Sequence, residues 1–111
     1  KREIDSEYRN QFSDHEGLGF FPNANWSESS CWFSGITIID KKLPDVPKLC
    51  ELLKARGVAA RTFWKPIHLQ PPYKSAPKTS LSISESIFPT VLTLPCSTQL
   101  SKYHLNFQKK L

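Results

Sequence analysis

The sequence contains no methionine, four glycines and three cysteines, and it has no long apolar run. Each shortage excludes something. A membrane-spanning helix needs about 18–20 consecutive apolar residues, and no stretch approaches that length. No signal-peptide pattern opens the chain either. Cys31, Cys50 and Cys96 are odd in number, widely spaced and set among apolar neighbours. They make no disulfide framework and point to a reducing, cytoplasmic compartment. Beside His15, His68 and His104 they form no close pair of the kind that holds zinc, so no metal is expected. The two glycines of "EGLGF" lack a strand before them and a helix after them, which excludes a dinucleotide-binding loop. The opening residue is Lys1, already inside a helical pattern of Ile4, Tyr8 and Phe12 with no capping residue in front. A chain that starts so reads as a fragment of a longer protein, cut inside or just before a helix.

What is present suits one domain. The chain has 111 residues, 39% of them hydrophobic and 23% charged, with a net charge of +5. That length supports one modest core, and that composition argues against disorder. The lysines and arginines are spread rather than clustered, which reads as a solvated basic surface. Residues 1–13 end a first helix, and the Gly-, Pro-, Asn- and Ser-rich stretch that follows predicts a loop. "CWFSGITIID" (31–40) predicts a central strand. Trp32, Ser34, Ile36 and Ile38 would face one side, and Gly35 would mark a bulge or a close backbone approach. "KKLPDVPKLCELLKARG" predicts a helix capped by Asp45, with Pro47 in its first turn and Gly57 at its stop. Its buried stripe would be Val46, Leu49, Cys50, Leu52 and Leu53. Residues 58–64 predict a second strand, "SISESIFPT" a short helix, and "VLTLP" a third strand. The end, "LSKYHLNFQKKL", predicts a helix capped by Ser101 with Leu100, His104, Phe107 and Leu111 on one stripe. The sum is an α/β or α+β layer, with helices on a sheet of about three strands.

The chemistry-bearing stretch is "RTFWKPIHLQPPYK" (61–74). Its prolines predict no regular structure through residues 66–77. His68 follows the stiffening Pro66 in a loop at a strand end, where function tends to sit. Its side chain suits proton transfer or hydrogen bonding to a ligand. A nucleophile built from Cys96 with His104 or His68 is weighed against cysteines buried for packing, and packing is the simpler reading.

"GVAARTFWKPIHLQPPYK" followed by "TLPCSTQLSKYH" resembles the C-terminal small domain of the DegT/DnrJ/StrS family of sugar aminotransferases. The matching positions are Arg61, Trp64, Pro66, Ile67, His68, Gln70 and Tyr73, then Leu94, Pro95, Cys96, Ser97, Leu100 and Ser101. "CWFSGITIID" is similar to that family's first small-domain strand, with Trp32 in the aromatic position. His104 departs from the pattern by standing where the family often has an acid. The resemblance implies the small-domain fold of fold type I transferases that depend on pyridoxal phosphate. It implies a large domain of the same chain that holds the cofactor on a lysine, and a homodimer. It also implies glutamate as the usual amino donor and a keto sugar nucleotide as acceptor. The Trp-Lys-Pro-x-His-Leu-Gln form looks closest to members acting on UDP-linked 4-keto-6-deoxy-N-acetylhexosamines in surface-polysaccharide biosynthesis. His68 and Gln70 would then offer hydrogen bonds to substrate. Arg61 would meet a carboxylate or hold structure, and Trp64 and Tyr73 would wall the sugar. No residue of this stretch would be catalytic or bind the cofactor, so the fragment alone should be inactive. From composition alone, a stand-alone basic module for single-stranded RNA, or a peptide-binding module built on the proline loop, remains the alternative.

Overall fold

A computed structural model describes residues 1–102. Helix α1 (Arg2–Phe12) begins without a side-chain cap and buries Ile4 and Tyr8, one helical turn apart, against the sheet. Asp5, also buried, is held by Arg9 at 2.7 Å. Arg9 reaches on to the Phe21 carbonyl at 3.0 Å and lies over the Phe20 ring. One guanidinium thus fastens the helix to the segment that follows it.

That segment contains a strand where the sequence reads as loop. Residues Leu18–Phe20 form β1 and pair antiparallel with β2 (Ser34–Ile38), Leu18 opposite Ile38 and Phe20 opposite Ile36. With β3 (Arg61–Thr62) and β4 (Val91–Leu94) they make a four-stranded antiparallel sheet in the order β1-β2-β4-β3. The fold is α+β, with one strand more than expected. The predicted strand 58–64 shrinks to its middle. Past Thr62 a single amide, that of Phe63, still reaches the Val91 carbonyl, at 3.3 Å.

Strand β2 is central, as predicted, and Ser34, Ile36 and Ile38 face the helices. Trp32 does not join them. The backbone at Cys31 has φ 49°, outside strand geometry, and Trp32 is 63% exposed. Gly35 marks the close approach. A Cβ there would stand 2.5 Å from the Leu92 carbonyl oxygen, with the Phe21 ring at 3.1 Å on the same side.

Helix α2 (Val46–Ala55) follows its local signals closely. Asp45 accepts the Lys48 amide at 2.9 Å, and a proline occupies the first turn. Gly57 adopts φ 79°. Its amide bonds to the Lys54 carbonyl and that of Val58 to Leu53, so two orphaned carbonyls are satisfied by a left-handed stop. Val46 is buried, and Leu49, Cys50 and Leu53 pack on the core. Leu52 does not: at 39% exposed it sits on the flank of the stripe.

The core cluster is Ile4, Tyr8, Ile36, Val46, Leu92 and Leu94. Each fully buried aliphatic side chain contributes roughly 1.5–3 kcal/mol. Tyr8 donates its hydroxyl to the Pro95 carbonyl at 2.8 Å. Burial, and secondarily the charge of a Cys96 thiolate, push its phenol up to about 12. Burial also pushes the Cys50 thiol up. Cys96 donates to the Trp32 carbonyl at 3.3 Å, and Lys1 Nζ donates to the carbonyls of Trp32 and Cys96. The start of α1 and the end of β4 are thereby stitched together. Between α1 and α2 an apolar hollow of about 440 Å³ exposes part of this sheet face.

After β4 a 3₁₀ turn covers Thr98–Lys102, and Leu100 packs on the core. The turn therefore begins before Ser101, the predicted cap. The predicted terminal helix, with His104, Phe107 and Leu111, lies otherwise outside the described residues. Among the described residues no helix is long and apolar enough to cross a membrane.

Candidate functional site

The stretch 61–74 is less irregular than its prolines suggest. Pro66 leads a 3₁₀ turn, Ile67–Leu69, and Gln70 leads a second, Pro71–Tyr73. Pro66 stands just before the first turn and Pro71 opens the second, where a residue without an amide leaves no donor unsatisfied. The Gln70 amide closes the first turn on the Ile67 carbonyl, and the Tyr73 amide closes the second on the Gln70 carbonyl. The Gln70 side chain donates to the Lys65 carbonyl at 2.9 Å. The loop is pinned to itself at both levels.

His68 is the buried residue of this loop, 9% exposed. It reaches helix α3 (Ser82–Ile87), where Nε2 lies 3.0 Å from Glu85 Oε1. Sequence reasoning did not find Glu85. It stands seventeen positions away in a short serine-rich helix, with no local signal to mark it. His68 and Tyr73 line one hollow of about 330 Å³ with Ile67, Ala76, Pro77, Lys78, Thr79 and Leu81.

Trp64 stands elsewhere, 61% exposed. Its ring meets Phe33 edge-on at 4.9 Å between centroids, Trp32 at 6.0 Å and Phe63 at 5.7 Å. Phe63 meets Phe21 at 5.9 Å. The five rings form an aromatic seam on the sheet face opposite α1 and α2. Beside it, Phe21, Phe63, Trp64, Pro66, Ile83, Ile87 and Val91 border an apolar cleft of about 450 Å³. Arg61 lies on β3 with an exposed side chain. Its carbonyl accepts the Thr93 hydroxyl at 2.8 Å, but its guanidinium has no hydrogen bond or ion pair among the described residues. The structure therefore brings His68 and Tyr73 together, folds Gln70 beside them, and leaves Trp64 and Arg61 on neighbouring surfaces. Among the described residues no group of three or more His, Cys, Asp or Glu side chains could hold a metal ion.

The model of the DegT/DnrJ/EryC1/StrS aminotransferase family matches residues 1–106. The chain belongs to that family. A relative is EpsN of Bacillus subtilis (strain 168), named provisionally as a pyridoxal phosphate-dependent aminotransferase. It is 24% identical over 106 residues, which cover 92% of this chain and 27% of EpsN. The chain thus spans about a quarter of that relative's length. The family match takes in the sheet and the three α-helices of the described residues, the 61–74 loop and the aromatic seam.

Proposed function

We propose that this chain is the C-terminal small domain of a pyridoxal phosphate-dependent aminotransferase. The enzyme would move an amino group from a donor such as glutamate to a keto sugar nucleotide. The acceptor we favour is a UDP-4-keto-6-deoxy-N-acetylhexosamine destined for surface polysaccharide, and the enzyme a cytoplasmic homodimer. The observation that carries this reading is the family match across residues 1–106.

The cofactor supplies the electron sink for the amino transfer. The described residues do not fit it. A cofactor lysine needs a walled pocket and an acid for the ring nitrogen, whereas Lys65, Lys74 and Lys78 all lie exposed to solvent. In this reading the cofactor belongs to a large domain of a longer chain, and the 111 residues alone would be inactive. What the small domain offers is recognition. His68 and Tyr73 share a hollow, so one ligand can touch both. Gln70 spends its amide nitrogen on Lys65 and keeps its carbonyl oxygen for a donor. Arg61, unpaired among the described residues, is free to meet a carboxylate. Trp64 and Tyr73 supply apolar walls for the face of a sugar.

The test is the whole protein from the longer reading frame. We expect cofactor absorbance and glutamate-dependent amination of the keto sugar nucleotide. In H68A the KM for that acceptor should rise about tenfold, the worth of one hydrogen bond of about 1.4 kcal/mol. A whole protein without cofactor absorbance, or one that aminates no keto sugar nucleotide, would sink the reading.

A further inference from the structure

His68 is nine-tenths buried, yet one of its ring nitrogens is unspent. Nε2 faces Glu85 Oε1 at 3.0 Å. An ionised carboxylate has lone pairs and no hydrogen to give, so Nε2 carries the proton and donates it. Nδ1 makes no hydrogen bond among the described residues. Nor is it sealed in. Among those residues the fully enclosed side-chain nitrogen or oxygen without a partner is Ser34 Oγ, and Nδ1 is not one of that kind. It belongs to a residue that lines the hollow beside Tyr73 and Thr79. Glu85 itself is half-exposed, with 45% of its side-chain area open, and comes from a six-residue helix with no side-chain cap.

We propose that Glu85 is a positioning residue: it holds His68 in the tautomer with hydrogen on Nε2 and so presents Nδ1 as a hydrogen-bond acceptor to a ligand in the hollow. A neutral imidazole has two tautomers of similar energy, and the partner of one nitrogen decides what the other can do. A carboxylate partner also makes the free nitrogen a better acceptor. The consequence is a chemical choice. A lone pair on Nδ1 attracts a hydroxyl or an amide N–H. It repels phosphate and carbonyl oxygens, which bring only lone pairs of their own. The group that meets neutral His68 is therefore a donor, such as a ring hydroxyl or the N–H of an acetamido substituent. It is not the diphosphate or the keto oxygen. That the donor belongs to a sugar rests on the proposed function; the tautomer does not.

Two measurements separate these. The first uses the 111-residue chain labelled with ¹⁵N in its histidines, at about pH 8, where ordinary histidine is neutral. Long-range ¹H–¹⁵N spectra should show a pyridine-type Nδ1 and a pyrrole-type Nε2 for His68. E85Q, whose amide oxygen still accepts, should keep that pattern. E85A should average the two nitrogens. A pyrrole-type Nδ1 in the unmodified chain, or a pattern unchanged in E85A, overturns the assignment whatever the enzyme does. The second uses the whole enzyme. KM for the keto sugar nucleotide should rise about tenfold in E85A and less than about threefold in E85Q. Equal losses in both variants would overturn the positioning role. A correct tautomer in an enzyme that aminates no sugar would instead sink the proposed function and leave the tautomer standing.

Discussion

The Tyr8 hydroxyl donates to the Pro95 carbonyl at 2.8 Å, joining the first helix to the residue that leaves the last strand. The phenol sits in the core and is pushed up to about 12, from an ordinary value of 10.0. The linkage follows from that direction. Below about pH 10 the phenol is neutral folded or unfolded, and its contribution is complete. Between about 10 and 12 the unfolded chain loses the proton while the folded one keeps it, so stability falls as pH rises. Urea midpoints of the parent and Y8F should therefore converge between about pH 10 and 12. At neutral pH Y8F should be weaker by about 1 kcal/mol. Parallel curves across that window would show that the phenol is not held this way.

Gly35 should tolerate no side chain. A Cβ would collide with a backbone carbonyl, which cannot swing aside as a flexible side chain can. G35A should cost roughly 1–3 kcal/mol, and G35V more. Thermal melts would detect this as a clear fall in Tm. An unchanged Tm for G35A would mean that β2 and β4 are farther apart than described.

Helix α2 offers a paired test. D45A removes the acceptor for the Lys48 amide and should cost about 1 kcal/mol. L52A removes a side chain on the exposed flank and should cost less than L53A, whose leucine packs on the core. Chemical denaturation of the three variants gives the order directly; L52A costing as much as L53A would contradict it.

Leu92 is 2% exposed, in the core cluster with residues of α1 and α2 and on a strand paired on both sides. L92A should cost about 2–5 kcal/mol, because the cavity adds to the lost burial. In so small a domain that loss approaches the whole stability. Hydrogen exchange across β4 should rise accordingly.

How much of this was legible in the sequence depended on how local each signal was. Asp45, Pro47 and Gly57 state the ends of α2 within one turn of where they act, and the structure follows them. Ile36 and Ile38 face the helices because strand alternation leaves them no other side. Strand β1 was hidden because three residues flanked by turn formers carry no periodicity; its partner β2 makes it a strand. The predicted strand 58–64 lost its ends for the same reason, since only Arg61 and Thr62 have a partner in register on β4. At the loop, His68 stood out by type and position. Its partner Glu85 did not, because a hydrogen bond between a loop and a distant helix leaves no spacing rule to read.

The stitching of Lys1 to Cys96 has a consequence for how the domain comes into being. The sheet's inner neighbour of β2 is β4, and β4 brings Leu92 and Leu94, two of the six residues of the core cluster. While the ribosome is still making residues before 91, α1 has only part of its core to close against and β2 has only its short outer partner. Translation must finish β4 before this unit can fold, so a premature stop anywhere upstream of it yields a chain for the proteases rather than a smaller domain.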